Sequence, residues 1–375
     1  MRLAFPRSRL PAAALALAAA STLLGLAVLE VASRARARVA SPAGLDAAQP
    51  RRLPPGGRAR LGDVVRLSSN PRIIYELVPG LDVTFLGAPL RTNADGFRGP
   101  LVPPSRTRPA VRVVGLGDSV MFGWGVSEED TYLARLRSRL GRASPGVAWE
   151  VVNTAVPGYN TAMEVETLEA KGLRFDPDVV ILNFVGNDLG LPNFVEERPD
   201  VLSLRRSFLL DFVRARIGGE AEQGPRLVGV SPEARRFGGE ADLARVPLRF
   251  HGLVGPRPWR AAMERLRDLS RARGFEVLML AHPEIFGYAR DTAQELGFPL
   301  VETGESVRAW ARERGLPDIQ GPPLTVTAED PHPSAIGHAI IATVLEERLR
   351  SSGLADRLVA RRRSLPRAAT PSPAP

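Results

Sequence analysis

Five apolar runs punctuate the middle of the chain: "VRVVGL" at 111–116, "WEVVNTAV" at 149–156, "DVVILNF" at 178–184, "FEVLMLAH" at 275–282 and the weaker "FPLVET" at 298–303. They are apolar almost throughout rather than at every second position, the pattern of strands covered on both faces. Between them apolar residues recur at spacings of three and four, in "DTYLARLRSRL" (130–140), "TAMEVETLEAKGL" (161–173) and "WRAAMERLRDLSRARG" (259–274), as amphipathic helices require. "SAIGHAIIATVLEERLRSSG" (334–353) predicts a closing helix. Strand and helix in alternation predict an α/β fold, a three-layer α/β/α sandwich around a doubly wound parallel sheet of about five strands. Such sheets bind ligands outside the carboxyl ends of their strands, so the residues that follow each run are where chemistry is expected.

The flanks follow other patterns. Residues 10–33 contain one charge, Glu30, and as a helix of about 1.5 Å per residue would measure roughly 36 Å, enough for a hydrocarbon core of about 30 Å. Arginines at 2, 7 and 9 precede the stretch and arginines at 34, 36 and 38 follow it, so the charge bias gives no orientation. Small residues in "VASRARA" offer a signal-cleavage site, but the apolar stretch exceeds the roughly 7–15 residues of a signal core. The expectation is a single N-terminal membrane anchor over 1–33, with the folded part outside the cytoplasm. A secreted or periplasmic chain released by signal cleavage is the alternative. Residues 34–69, rich in Pro, Gly and Arg, read as a flexible linker. Residues 70–110 read as an ordered lead-in of short β segments that includes "NADGFRGP", a stretch explicable either as plain turn chemistry or as a piece docked on the sheet edge. The main domain is expected over 111–353. An irregular insertion at about 190–257 interrupts it, shaping substrate access and containing a helical "RRSFLLDFVRARIG" (205–218). Residues 354–375, basic and Pro-rich, read as a disordered tail.

Composition narrows the chemistry. The chain has 375 residues and a formal charge of +9, but Lys171 is its single lysine and arginine is spread throughout, with no nucleic-acid-reading motif beside it. Nucleic acid is therefore not an expected partner. The absence of cysteine excludes disulfides, thiolate metal sites and cysteine nucleophiles. Four histidines, His251, His282, His332 and His338, are the candidates for a base working near neutral pH. No metal-ligand spacing, phosphate-binding loop or dinucleotide fingerprint follows a strand, so no cofactor and no metal are expected.

The strand ends supply, in chain order, "GDS" with Ser119, "NTAVPGYNT" with Gly158, "NFVGND" with Asn187 and, beyond the last strand, "EDPHPSAIGH" with His332. A serine hydroxyl becomes a nucleophile when an imidazole can take its proton, and Ser119 with His332 is such a pair. Each block alone is common; in this order, over residues 70–352, they resemble the SGNH, or GDSL-type, hydrolase superfamily, in its membrane-anchored bacterial branch. The resemblance implies a flavodoxin-like SGNH fold, Ser119 as nucleophile and His332 as base. It also implies an oxyanion hole built from the backbone N–H groups of Ser119 and Gly158 and the side-chain amide of Asn187. It implies a serine esterase acting on O-acyl esters, O-acetyl groups of a carbohydrate or envelope polymer among them. An O-acyltransferase of the same fold and a non-catalytic envelope-binding protein are the alternatives. The family places an aspartate three residues before the histidine, where this chain has Glu329, with Asp330 next to it. Both carboxylates are candidates for orienting the imidazole, Glu329 by register and Asp330 by side chain. His282, at the fourth strand end, and Trp124, after the nucleophile turn, are candidates for lining the substrate site. Asp118 reads as a turn-capping acid and His338 as a core histidine.

Overall fold

In the computed structural model the described residues are 12–39, 53–197, 207–216, 226–230, 235, 243–244, 246–285 and 287–364. They fall into two compact units, one comprising residues 1–48 with 196–226 and the other residues 49–195 with 227–375. The larger is built on five parallel strands: β1 (Ala110–Leu116), β2 (Ala148–Asn153), β3 (Val179–Phe184), β4 (Glu276–Ala281) and β5 (Leu300–Glu302). Their order across the sheet is β2-β1-β3-β4-β5, with Val113 opposite Val151 on one side and Val179 on the other. This is the flavodoxin-like doubly wound order, which reverses direction at β1 and opens a crevice at the carboxyl ends of β1 and β3. All five apolar runs are strands of this sheet.

Because successive side chains in a strand point to opposite faces, each run feeds two cores. Val113, Val179, Ile181 and Leu278 pack with Leu133, Leu136 and Leu140 of helix Tyr132–Ala143 and with Ile341 and Leu345 of helix Ala335–Ser351. Val114, Leu116, Val180 and Leu182 face the other way, onto Val165 and onto Trp259, Met263 and Leu266 of helix Pro256–Arg273. Side-chain oxygens start these helices: Thr131 accepts from the Ala134 N–H, Asn160 from Met163, and Ser334 from Ile336 and Gly337. The helix expected over 161–173 is α-helical at Thr161–Thr167. It then widens into a π turn at Leu168–Gly172 and tightens at Leu173–Phe175.

Two flanking expectations need correction. The linker placed at 34–69 is ordered from Leu53 onward: the Gly57 N–H bonds the Pro54 carbonyl at 2.8 Å to close a turn. Strand Arg58–Ala59 pairs with Asp82–Phe85, and Val64 and Val65 are buried. Proline and glycine there build a turn rather than a tether. The tail placed at 354–375 begins as a helix, Leu354–Ser364. Its apolar positions, Leu354, Ala355, Leu358 and Val359, are buried at helical spacing. Arg362 Nε reaches Asp178 Oδ1 at 2.8 Å behind the start of β3, so an arginine of the stretch expected to be disordered forms an internal ion pair. Residues 365–375 lie outside the described residues, as do 1–11 and 40–52.

The smaller unit contains helix Ala12–Val39 and helix Phe208–Arg216, the latter within the expected "RRSFLLDFVRARIG". Residues Ala16–Ala35 of the first are long and apolar enough to cross a membrane, and none of that stretch is buried.

Candidate active site

β1 is buried along its whole length and ends at Gly117-Asp118-Ser119, where Ser119–Phe122 makes one helical turn. Asp118 starts the turn by accepting the Val120 N–H at 3.0 Å, the capping part expected of it. Gly117 has no substitute: a Cβ there would lie 2.6 Å from Met121 Cβ. From the lead-in, Arg98, buried with its guanidinium over the Phe122 ring, donates to the carbonyls of Phe122 at 2.8 Å and Gly123 at 2.6 Å, and to that of Val126. "NADGFRGP" is thus docked, through Arg98, against the turn that carries Ser119. Burial lowers the Arg98 pKa to about 10, partly offset by the charges of Glu128 and Glu129.

Ser119 Oγ lies 2.8 Å from His332 Nε2 and 3.1 Å from Asp118 Oδ2. The other ring nitrogen, His332 Nδ1, is 2.5 Å from Asp330 Oδ1, which also accepts the His332 backbone N–H at 3.1 Å. With Nδ1–H donated to Asp330, Nε2 is left as the acceptor facing the serine. Glu329, favoured by register, is on the outside: its exposed carboxylate accepts from Thr327 Oγ1 at 3.1 Å. The reason is a local turn. Thr327 Oγ1 accepts the N–H groups of both Glu329 and Asp330, and the Val326 N–H bonds the His332 carbonyl at 2.9 Å. This curls the loop so that the residue two before the histidine, not three, faces the imidazole.

Trp124 is drawn into the same assembly. Its indole N–H donates to Asp330 Oδ2 at 2.9 Å, and its ring stacks on that of His332 with centroids 5.0 Å apart. Trp124 is not among the residues that line the cavity over Ser119; its ring's contacts within the site are with Asp330 and His332. Partial burial pushes the Asp330 carboxyl up, but the His332 hydrogen bonds and charge and the Trp124 N–H outweigh it and hold it below the usual range.

The ends of β3 and β2, which flank β1, carry Asn187 and Gly158. The Asn187 amide, in the turn after β3, donates to Asp118 Oδ2 at 3.3 Å. Gly158 has φ +77, which glycine tolerates, and a Cβ there would fall 2.1 Å from Asn193 Cγ. Its loop is tied down by Tyr75 Oη on the Pro157 carbonyl at 2.9 Å and by the Asn193 N–H on the Gly158 carbonyl at 3.2 Å. Glu164 and Asp188, which follow these residues in the chain, are both buried; Thr161 Oγ1 donates to Asp188 Oδ2 at 2.9 Å. Both Glu164 oxygens and Asp188 Oδ1 meet no partner among the described residues. Burial drives both carboxyls well above their usual range, and the neighbouring acid charges add to it.

A cavity of 830 Å³ opens over Ser119 and His332. Asp118, Asn187, Gln320 and Arg235 give it polar groups, while Val185, Val307, Ile319 and Leu324 give it apolar walls. His282 lines it too, with Nδ1 2.7 Å from Thr303 Oγ1 and its pKa lowered to about 4 by burial. His338 is buried away from it, accepting the Tyr132 N–H at 3.2 Å, and His251 lies against the Val246 carbonyl at 2.8 Å. Arg235, Val307, Ile319 and Leu324 escaped sequence reading because an isolated arginine in an irregular stretch and apolar residues near a helix look like surface and core. Among the described residues no group of three or more His, Asp and Glu side chains is placed to hold a metal ion.

The GDSL-like lipase/acylhydrolase family matches residues 116–340 of the chain. Among solved structures, the chain resembles a lipase/acylhydrolase from Enterococcus faecalis at 14% identity and a TM-score of 0.36, covering 64% of this chain and 96% of that one. It resembles the acetyl xylan esterase AlAXEase at 14% identity and a TM-score of 0.38, covering 64% and 100%. An acetyl-xylooligosaccharide esterase from Geobacillus is 16% identical with a TM-score of 0.37, covering 65% and 94%. No curated protein matches the chain.

Proposed function

Since the chain belongs to the GDSL-like lipase/acylhydrolase family and is thus an ester hydrolase of the SGNH type, we propose that it removes acyl groups, O-acetyl in the first place, from hydroxyls of a carbohydrate or envelope polymer. The observation that carries the reading is the continuous relay from Asp330 through His332 to Ser119, with steps of 2.5 Å and 2.8 Å. In the reaction Ser119 Oγ attacks the ester carbonyl while its proton passes to His332 Nε2, and Asp330 stabilises the imidazolium that forms. The carbonyl oxygen, now negative, is met by the N–H groups of Ser119 and Gly158 and by the Asn187 amide. Collapse expels the alcohol, which takes the proton back from His332, and leaves an acyl-Ser119. A water deprotonated by His332 then releases the acid and restores the serine.

The cavity supports a small acyl group joined to a larger polar alcohol. Its 830 Å³ far exceeds an acetyl group, and amide, carboxylate and guanidinium groups share its wall with the apolar residues. Helix Ala12–Val39 is read as an uncleaved anchor that holds the enzyme at a membrane, outside the cytoplasm. Ser119→Ala is expected to reduce p-nitrophenyl acetate turnover by about 10⁴-fold or more; turnover within tenfold of the parent would overturn the mechanism. Mass spectrometry of products from an acetylated oligosaccharide should show free acetate. Acetate moved instead to a second oligosaccharide would establish the transferase.

A further inference from the structure

Helix Ala12–Val39 carries a single acid, Glu30, inside its apolar stretch Ala16–Ala35. An ionised carboxylate at that depth is costly unless it is partnered. Arg34 Nε donates to it from one turn on, at 2.8 Å. The start of helix Phe208–Arg216 converges on it as well: Ser207 Oγ at 2.9 Å, the Phe208 N–H at 3.0 Å and the Leu209 N–H at 2.8 Å. Glu30 therefore caps a second helix 177 residues later in sequence, satisfying its free N–H groups and its dipole together. Arg34 closes the joint by lying over the Phe208 ring, 5.2 Å from its centroid.

The depth of this joint says what the second helix touches. Glu30 precedes Ala35 by five residues, roughly 7.5 Å along the axis at about 1.5 Å per residue. Interfacial helices bury their apolar side about 5–10 Å into the boundary between headgroups and acyl chains. Leu210 and Val213, nearly one turn apart on the second helix, are 57% and 45% exposed, as are Val28 (60%) and Val31 (65%) beside Glu30 on the first. Arginines at 205 and 206 precede the helix in sequence and those at 214 and 216 end it, a composition suited to anionic headgroups.

We infer that Phe208–Arg216 is a second membrane-contacting element, an interfacial helix held on the anchor by Glu30, with Leu210 and Val213 inserted at the edge of the lipid acyl region. The inference rests on the reading of Ala12–Val39 as a retained anchor, and it supplies a reason for retention: cleavage near "VASRARA" would strip the cap from the second helix.

The cysteine-free chain makes the test direct. Single variants Leu210→Cys, Val213→Cys, Val28→Cys and Leu248→Cys of the full chain are labelled with an environment-sensitive fluorophore and reconstituted in phosphatidylcholine–phosphatidylglycerol vesicles. Leu248, 84% exposed in the larger unit, is the solvent control. Labels at 210 and 213 should be quenched by lipids bearing a nitroxide near the headgroup, and their quenching by iodide should be at least threefold weaker than at 248. Adding Glu30→Ala should bring the label at 210 close to the behaviour of 248, while Glu30→Gln, which still accepts N–H groups, should keep most of the protection. If 28 is protected but 210 and 213 behave like 248, the inference falls and the anchor stands. If 28 behaves like 248, the anchor reading falls and takes the inference with it. Protection at 210 that survives Glu30→Ala overturns the docking through Glu30. Esterase activity on a soluble ester is read separately in the same samples, so none of these outcomes is confused with loss of the hydrolase reading.

Discussion

The two sides of Ser119 handle carboxyl groups in opposite ways. On the His332 side, Asp330 is partly exposed, takes hydrogen bonds from His332 and Trp124, and sits below the usual carboxylate range. On the Asn187 side, Glu164 and Asp188 are buried, lack partners for three of their four oxygens among the described residues, and are driven well above it. The contrast fits the charges that acyl transfer creates. A cation develops on the imidazole, where a fixed anion helps, and an anion develops at the carbonyl oxygen, where a second anion behind Asn187 would oppose it. Burial, with the neighbouring acid charges, raises one pair; hydrogen bonds, with the charge of His332, lower the other acid.

The sharpest way to break this picture is on the anion side. Asn187→Ala should lower kcat by about 10²–10³ with little change in KM; a change confined to KM would remove the amide from the transition state. On the cation side, Trp124→Phe keeps the stacked ring but removes the N–H from Asp330. It should lower kcat about five- to tenfold, leave KM unchanged, and move the acid limb of the kcat/KM profile, because one of the bonds holding Asp330 low is gone. A loss with an unaltered profile would make Trp124 a packing residue only.

Glu164→Gln separates the two sides by stability. Below about pH 4.3 folded and unfolded chains both hold the Glu164 proton, so the acid contributes no difference. As pH rises the unfolded carboxyl ionises first, and the folded state loses up to about 1.4 kcal/mol per pH unit until its own raised pKa is reached. Glutamine cannot titrate, so the variant's melting temperature should exceed the parent's by a few degrees at pH 7, with the gain vanishing at pH 4. A gain that does not depend on pH would mean Glu164 is not held neutral. The smallest effect is expected from Glu329→Ala, within twofold of parental kcat/KM. A tenfold loss would return the triad role to Glu329 and undo the assignment of Asp330.

The same division marks what the sequence could disclose. The sheet was legible because a strand buried on both faces must be apolar throughout, and five such runs have one simple arrangement. Ser119, Gly158 and Asn187 were legible as motif residues because each follows a strand end, and His332 because it stands in a short block just before the closing helix. The choice between the two candidates Glu329 and Asp330 was not, since it is decided by Thr327 gathering two N–H groups, a three-dimensional turn that overrides register. Trp124 meets Asp330 across 206 residues, beyond any local pattern. The helix Leu354–Ser364 was hidden by its arginines, one of which is spent on a buried acid rather than on solvent.

That last ion pair has a consequence in time. Asp178 enters the growing chain 184 residues before Arg362, its partner behind the same sheet. At roughly 5–20 residues per second of synthesis this is a delay of about 9–37 s. Through that interval Asp178 must do without one of its cations, and the nascent sheet stays short of its final stability.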